Sequence, residues 1–341
     1  MNWRNSTNSK RILPIISIDK IMVASSEQIE NHALLSQLFL LSSLPTCLIL
    51  RFIIVAPFGR HVPQNNRWWF GPMLDARMSW FLFESPNLIW AWCCCWYWCD
   101  RSIFLLDSSS VAVISLDGNH HHHLRMSTNA ILMLLFVLHY INRSIFYPLR
   151  MNPNSQKVPL IVSVSATLVT MLNGYLQCFY LVQIESFSPL ALPPTTLEDV
   201  QRWMGIGLFF LGMAVNIHSD GVLRRLRSRF GPSQTTNSGK SNVHKRQQQH
   251  RATSTARHHH AYYIPHSPFF TYVSCPNLGG EMVEWLGFAM ASRFSLPSVA
   301  FFVYTAGNLI PRAISHHEWY RMKFGEDYPA RRRWAAIPFL V

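Results

Sequence analysis

An acidic side chain inside an apolar stretch is the first chemistry that this sequence offers. Glu84 stands in MSWFLFESPNLIW, with aromatic and aliphatic neighbours on both sides. A carboxyl group removed from water favours its neutral form, and a neutral acid can donate a hydrogen bond to a carbonyl oxygen. We expect Glu84 to act in this way, because ionisable residues in such segments are costly and usually functional. The alternative is an acid that ends a helix beside Pro86 and faces water.

A phenol is the second candidate. Tyr140 lies in LLFVLHYINRSIFYP, next to His139 and three residues before Arg143. On a helix Tyr140 and Arg143 share a face, and so do His139 and Arg143. A phenol in an apolar environment can polarise a carbonyl group. The alternative is an interfacial tyrosine followed by an arginine whose head group reaches water, and the pattern leaves both open.

The segment NIHSDGVLRRLR predicts a nucleotide site. Asn216, Asp220 and Arg224 follow one another at four-residue spacing, and Arg227 comes three residues later. A helix would present an amide, a carboxylate and two guanidinium groups along one stripe. Guanidinium groups bind phosphate, while Asp and Asn suit ribose hydroxyls or a carboxamide. The alternative is a ladder of ion pairs followed by a basic patch.

The C-terminal third repeats these residue types. VSCPNLGGEMVEW places Asn277, Glu281 and Glu284 at helical spacings, although the helix dipole alone also favours an acid at position 281. Further along the chain follow Arg312, His316, His317 and Tyr320. The sequence contains neither GxGxxG nor GxxxxGK[ST], so it indicates no Rossmann fold and no P-loop. A nucleotide would have to be held by helices.

Composition indicates what those helices are. The chain has 341 residues, of which 49% are hydrophobic and 14% charged. Soluble domains carry about 25% charged residues. This balance excludes a soluble acidic enzyme, a disordered chain and a secreted disulfide scaffold. The seven cysteines form no CxxC pair, and the histidine runs lack acidic or cysteine companions, so we expect no metal site.

Seven apolar segments predict an all-α polytopic membrane protein, a seven-transmembrane-helix bundle. They are 33–55, 78–98, 130–147, 158–182, 203–217, 282–295 and 298–310. The last two are short and separated by Pro297, which favours a tight hairpin. An eighth candidate, 103–116, is interrupted by Asp107 and three serines.

Loop charges predict the orientation. The connections 51–77, 143–157 and 221–263 are basic, whereas 183–201 holds acids and no base. This alternation predicts a cytosolic C-terminus and a lumenal N-terminus, where Asn5 would be a glycosylation acceptor. The net charge of +13 is then explained by cytosolic loops, so no nucleic-acid partner is expected.

Composition also divides the chain. We distinguish a polar N-terminal segment (1–30), helices one to five (31–230) and a C-terminal region with the last two helices (261–341). An atypical insert at 91–127 carries CCCWYWC and a histidine run. A low-complexity cytosolic loop fills 231–260 and has almost nothing apolar to bury.

Several motifs together resemble the steroid 5α-reductase family. They are FGRH (58–61), WFLFESP (80–86), HYINRSIFYPL (139–149), NGYLQ (173–177), NIHSDGVLRRLR (216–227), the stretch from YYIPHSPFF to EWLGFA (262–289) and the end of the chain from HHEWYRMKF (316–341). They keep their order and cover most of the chain outside 1–30, 91–127 and 231–260.

The resemblance implies a multi-pass enzyme of the endoplasmic reticulum membrane that uses NADPH to reduce the double bond of a 3-oxo-Δ4-steroid. Its cytosolic loops would close over the cofactor. Glu84 and Tyr140 would grip the 3-oxo group. The residues matching the family's NADPH pocket are Asn173, Asn216, Asp220, Arg224, Arg227, Asn277, Glu281, Arg312, His316 and Tyr320.

The chain departs from the family pattern at three places. Phe83 stands where the family usually has Gln, the PHGG turn reads PHSP at 265–268, and the insert 91–127 separates the two catalytic helices, from where we expect it to loop into the lumen. A polyprenol or trans-2-enoyl-CoA reductase and a catalytically impaired membrane scaffold therefore remain alternatives. The expected partners are a hydrophobic steroid or lipid enone and membrane lipid, and no oligomeric state is favoured.

Overall fold

The computed structural model describes residues 24–56, 61, 71–99, 115–116, 122–153, 155–229 and 262–340. Asn5, most of the insert 91–127 and the loop 231–260 lie outside this part of the chain. The described helices are α1 (Ser26–Leu48), α2 (Ala76–Cys99), α3 (Thr128–Ile141), α4 (Tyr147–Arg150), α5 (Leu160–Phe179), α6 (Leu197–Arg229), α7 (Pro268–Tyr272), α8 (Pro276–Ala291) and α9 (Leu296–Phe324).

Polar residues fix the starts of several helices. Ser25 and Gln28 form a reciprocal capping box at α1, and the Ser127 hydroxyl accepts from the Ala130 N–H at α3. Asp75 accepts from two backbone N–H groups at the start of α2. Three helices run on as π-helical turns, at Ile49–Ile53, Asn142–Phe146 and Tyr180–Ile184.

The long helices coincide with the seven predicted segments. Four of them, extended by their π-helical turns, are long and apolar enough to cross a membrane: Ser26–Ile53, Thr128–Arg150, Leu160–Ile184 and Leu197–Arg227. Large apolar side chains on α1, including Leu38 and Leu41, face outward. An apolar membrane-protein fold agrees with these helices, and the count of seven spans stays a prediction.

Two small antiparallel sheets correct the expectation of a purely helical chain. β1 (Met73–Leu74) pairs with β4 (Val158–Pro159). At another place β3 (His122–Met126) lies between β2 (Ser115–Leu116) and β5 (Leu190–Leu192). Such short strands have no alternating pattern in the sequence. They form where helix ends bring two connecting segments together, and the backbone N–H and C=O groups of the two segments then hydrogen-bond to each other.

The two sheets mark the two ends of the bundle. The basic connections 51–77 and 143–157 meet at one end, where the Arg77 side chain donates to the Met151 carbonyl. The acidic connection 183–201 lies at the other end, beside β3. The last nine residues of α2 and all of β3 belong to the insert 91–127, so its described parts continue the bundle and its sheet.

Glycines bring α6 and α8 into backbone contact. A Cβ atom built on Gly280 would lie 2.8 Å from the Asn216 nitrogen and 2.8 Å from the Gly212 oxygen. Only glycine allows helices to approach so closely. This contact sets the polar residues of α6 directly against those of α8.

Candidate active site

Arg143 lies at the centre of a buried cluster of carboxylates from three helices. Its Nε is 3.7 Å from Glu84 Oε1 on α2. Its Nη1 is 3.6 Å from Asp220 Oδ2 on α6, and its Nη2 is 3.5 Å from Glu281 Oε2 on α8. The guanidinium also lies over the ring of Trp80. The side chain is only 9% exposed, so it does not reach out to water as a snorkelling arginine would.

The polar stripe of α6 is paired with α8. Asn216 Nδ2 donates to Glu281 Oε2 over 3.1 Å, and Asn277 Nδ2 donates to Asp220 Oδ1 over 3.0 Å. Four residues expected at a cofactor therefore meet at one interface. The backbone contact at Gly280 makes these pairings possible, and helical spacing within either segment could not reveal them.

Tyr140 is fully buried, with 1% of its surface exposed. Its hydroxyl oxygen accepts from Asn173 Nδ2 on α5 over 3.0 Å. The same nitrogen donates to Asn87 Oδ1 on α2, also over 3.0 Å. Asn173, expected at the cofactor, thus contacts the candidate catalytic phenol.

Glu84 and Tyr140 are joined by two sets of contacts. Arg143, one turn after Tyr140, reaches Glu84. Asn87, one turn after Glu84, reaches Tyr140 through Asn173. The acid and the phenol therefore border one buried polar region between α2, α3 and α5.

A second buried polar contact, between an imidazole and a carboxyl group, lies beside Tyr140. His139 Nδ1 is 2.7 Å from Glu284 Oε1, and the two side chains are 4% and 1% exposed. The imidazole packs edge-on against the rings of Tyr140 and Trp285, with ring centroids 4.8 Å and 4.7 Å away. This pair fixes α3 against α8 on the side of Tyr140 away from solvent.

The predicted residues of α9 lie near the basic end of the bundle. Arg312 Nη1 donates to Asn308 Oδ1 over 3.5 Å. His316 Nδ1 is 2.9 Å from His61 Nε2, and the two imidazole rings stack. Both residues line a cavity whose walls are Val55, Ala56, His61, Arg312, Ser315 and His316.

Arg224 and Arg227 on α6 do not form an ion-pair ladder with Asp220 among the described residues. In the part of the chain that the structure describes, the ion-pair partner of Asp220 is Arg143 on another helix rather than Arg224. Arg224 is half-buried and Arg227 is exposed. Both therefore remain suited to an anionic ligand.

Tyr320 belongs to a cluster that anchors the C-terminal segment. Its ring stacks on Tyr328 at 5.2 Å. The Ser274 hydroxyl bonds to Tyr328 Oη and to His317 Nδ1, over 2.5 Å and 2.6 Å. Burial raises the pKa of Tyr328, and burial followed by the charge of Arg321 lowers the pKa of His317. The predicted residue Tyr320 thus packs on this segment rather than on the Arg143 cluster.

Two of the departures from the family pattern have visible neighbours. The buried ring of Phe83 packs against Trp80, so position 83 offers no polar side chain. In the altered turn, the carbonyl of Pro265 accepts from Arg333 Nη2 over 3.3 Å. The end of the chain therefore holds the turn by a side-chain contact.

Sequence reasoning missed Asn87 and left Arg143 outside the expected site. A signal existed for both: Asn87 lies three residues after Glu84, and Arg143 three residues after Tyr140, so each shares a helix face with a candidate. What spacing could not supply was the convergence of three carboxylates on one guanidinium.

Comparisons with known proteins identify the family of the chain. The family model described as 3-oxo-5-alpha-steroid 4-dehydrogenase matches residues 156–241 and 238–341. The chain is 32% identical to steroid 5-alpha-reductase DET2 of Solanum lycopersicum over 94% of this chain and 100% of that protein. It is 35% identical to human 3-oxo-5-alpha-steroid 4-dehydrogenase 1 over 83% of this chain and 85% of that protein. It is 33% identical to rat 3-oxo-5-alpha-steroid 4-dehydrogenase 1 over 84% of this chain and 86% of that protein.

The fold is a helical bundle rather than a nucleotide-binding α/β fold, and the family match and the relatives define the class of the chain as an oxidoreductase that acts on CH–CH groups. Within that class, the chain belongs to the 3-oxo-5-alpha-steroid 4-dehydrogenase family. The resemblance seen in the sequence motifs is confirmed.

Proposed function

We propose that this protein reduces the Δ4 double bond of a 3-oxo-steroid with NADPH, giving the 5α-reduced 3-oxo-steroid. The supporting observation is the shared buried region of Glu84 and Tyr140, linked through Arg143 and Asn173. The names of the relatives support the substrate class. In this proposal the protein spans the endoplasmic reticulum membrane seven times, with a cytosolic C-terminus and cytosolic loops that cover the cofactor.

The polar residues between α6 and α8 fit a nicotinamide dinucleotide. Asn216 Oδ1 is buried without a hydrogen-bond partner among the described residues, so it can accept from a carboxamide or a hydroxyl. Asp220 and Glu281 offer further acceptors for ribose hydroxyls. Arg224 and Arg227 follow on the same helix and suit phosphate groups.

On this proposal Arg312, His316 and the cavity beside them would bind a further part of the cofactor. Asn277 would hold Asp220 in place, as its hydrogen bond does already. Tyr320 would act through the packing of the C-terminal segment. When bound, NADPH supplies the hydride.

Tyr140 and Glu84 prepare the steroid for that hydride. The phenol donates a hydrogen bond to the 3-oxo oxygen, and Glu84 donates a second one once its carboxyl group is protonated and exchanges its 3.7 Å contact with Arg143 for the steroid oxygen. Electron density then moves from the conjugated alkene toward the oxygen, which leaves the β-carbon electron-poor. Donors placed where charge develops in a dry site stabilise an enolate-like transition state strongly.

The protein interior keeps water from this region. Tyr140 and Asn173 are almost fully buried, and the rings of Phe136 and Trp285 pack against the phenol, with Phe288 packed against both of them. Exclusion of water strengthens each hydrogen bond to the ketone oxygen. The same apolar surroundings suit a flat hydrophobic substrate that arrives from lipid.

The test is a substrate panel with microsomes that contain the protein and NADPH. We expect progesterone or testosterone to be converted into its 5α-dihydro product. Turnover of a polyprenol or a trans-2-enoyl-CoA without steroid turnover would instead support the lipid reductase. No turnover of any substrate, with folded protein present, would support the impaired scaffold.

A further inference from the structure

A chain of side-chain amides runs from a backbone carbonyl to the hydroxyl of Tyr140. Gln177 Nε2 on α5 donates to the carbonyl of Pro297 over 2.9 Å and to Asn173 Oδ1 over 3.3 Å. Asn173 Nδ2 in turn donates to Asn87 Oδ1 and to Tyr140 Oη. Gln177, Asn173 and Asn87 are each at most 2% exposed, so water does not compete for these bonds.

The carbonyl of Pro297 fixes the donor-to-acceptor direction of every hydrogen bond in this series of amides. A backbone carbonyl only accepts, so the side of Gln177 that faces it must be the NH₂ group. One hydrogen of this group bonds Pro297, and the other is directed at Asn173, which must therefore present its oxygen. Amide orientation is assigned from such networks, and this network allows one assignment.

The same reasoning continues to Tyr140. Because the oxygen of Asn173 faces Gln177, its NH₂ group faces the other way. That group has two hydrogens and two partners, Asn87 Oδ1 and Tyr140 Oη. The Tyr140 oxygen is thus an acceptor in this bond, and its own hydrogen has no acceptor among the described residues.

We propose that Gln177 and Asn173 are positioning residues that keep the Tyr140 hydroxyl hydrogen free for the oxygen of a bound ketone. This inference rests on the proposed function and specifies how its phenol is held. Without these two amides, the Tyr140 hydroxyl would donate to whichever buried acceptor lies nearest. A hydrogen bond accepted by Oη also polarises the hydroxyl and makes it a stronger donor.

The direct test is a variant that reverses the hydrogen-bond direction along the series of amides. Gln177→Glu places a carboxyl group against the Pro297 carbonyl, where it is accommodated in its protonated form with the O–H facing Pro297. Its remaining oxygen then faces Asn173 and turns that amide round, so that Asn173 Oδ1 faces Tyr140 and captures the hydroxyl hydrogen. We expect kcat for the steroid to fall by about 10²-fold, the range for loss of one donor to a developing oxyanion.

A matched control exists at the other end of the bundle. Gln201 is a half-buried glutamine whose Nε2, like that of the buried Gln177, donates to a backbone carbonyl, here that of Met290, over 3.2 Å. Gln201→Glu makes the same chemical change away from Tyr140, and kcat should stay near the wild-type value. Gln177→Met serves as a second variant, which removes the anchor without a carboxyl group and should lower kcat several-fold.

Two readouts separate this function from general support of the fold. In a Tyr140→Phe background, Gln177→Glu should cause no further loss of kcat, because the hydrogen it redirects is already absent. Isotope-edited infrared spectra of a bound 3-oxo-Δ4-steroid should show its carbonyl stretch lowered in the wild type. In Gln177→Glu the stretch should return toward the free value.

The outcomes distinguish this inference from the proposed function. Steroid turnover by the wild type with unchanged kcat in Gln177→Glu would overturn the inference and leave the function standing. Independent, multiplying losses in the double variant would also overturn it. If the wild type binds steroid without reducing it, the function fails, and the carbonyl stretch still decides the inference. A chain that binds no steroid overturns both.

Discussion

The Arg143 cluster and the amide chain at Tyr140 are neighbours with opposite hydrogen-bonding character. In the amide chain the four bonds measure 2.9–3.3 Å and use all hydrogens of Gln177 Nε2 and Asn173 Nδ2. Around Arg143 the ion pairs measure 3.5–3.7 Å, and Arg143 Nε has no hydrogen-bond partner among the described residues.

The difference indicates that the Arg143 cluster and the amides at Tyr140 have different functions. Every amide hydrogen of Gln177 and Asn173 has an acceptor, which favours one arrangement of these two side chains, whereas Asn87 Nδ2 and Arg143 Nε are buried without a partner among the described residues and retain capacity to bond. The amide chain therefore suits the orientation of a catalytic group. The Arg143 cluster suits the reception of a polar ligand, because its carboxylates and its guanidinium can exchange long contacts for shorter ones.

The largest expected effect comes from removal of the central cation. Arg143→Met leaves three carboxylates without their shared partner, and loss of one side of a buried ion pair typically costs about 3–5 kcal/mol. We expect a marked fall in thermal stability in detergent, together with loss of NADPH binding.

Arg202 provides the control for that prediction. It is equally buried, at the acidic end of the bundle, and bonds to Ser188. Arg202→Met should also lower stability, but the protein that remains folded should bind NADPH normally. Equal loss of cofactor binding in both variants would contradict a receiving function for the Arg143 cluster.

The next largest effect is expected at Glu84 and Tyr140, the two groups proposed to donate to the ketone. Glu84→Gln and Tyr140→Phe should each lower kcat by about 10²–10³-fold, because each removes or weakens one donor. NADPH affinity, measured by fluorescence titration, should remain within about threefold, a difference below 1 kcal/mol. A parallel loss of cofactor affinity in Tyr140→Phe would mean that the region orienting the phenol and the Arg143 cluster are not separate.

A smaller effect is expected at the exposed end of the α6 stripe. Arg227→Ala should weaken NADPH binding about tenfold, which corresponds to one charge-assisted phosphate contact of about 1.4 kcal/mol. The neighbouring Arg225→Ala is the control. Unchanged affinity in Arg227→Ala would remove this residue from the cofactor site.

The smallest effect concerns pH and the C-terminal segment. The pKa of His317 is lowered from its ordinary value of 6.5, so the unfolded chain binds the proton more readily than the folded one. Its contribution to stability is therefore complete above about pH 6.5 and is lost as the pH falls through the folded pKa. Arg321 and Arg333, which disfavour the proton, and Glu318, which favours it, are the charged groups facing His317.

Thermal unfolding followed between pH 7.5 and 5 measures this contribution. The wild type should lose stability over that range, and His317→Gln should have a flatter profile. An identical slope in both proteins would show that another group titrates. Activity at pH 7 should be similar in the two proteins, since His317 lies away from Tyr140.

Helix positions were predictable because long apolar segments can be recognised from the residue types alone. The candidates Glu84, Tyr140 and Asp220 were predictable for the complementary reason, as polar side chains in apolar surroundings. Contacts between helices were not predictable. Asn173 was expected at the cofactor, yet it bonds to Tyr140, because helical spacing orders residues within one segment and says nothing about the neighbouring helix.

The pairing of the strands was likewise not predictable from the sequence. β3 and β5 are 64 residues apart in register at Met126 and Leu190, and neither has an alternating pattern. They pair because α3 and α6 begin at the same end of the bundle. By contrast, the apolar segment 78–98 predicted almost all of α2 (Ala76–Cys99) from the sequence alone.

The absence of side chains at Gly212 and Gly280 has a consequence for how this protein can evolve. A single methyl group at Gly280 would act as a wedge between two backbones, and it would pull apart both amide–carboxylate pairs at once. Recognition of the proposed dinucleotide would then be lost through a residue that has no side chain to bind it. Genetic variation here should imitate a defect in the binding residues themselves, with every one of those residues intact.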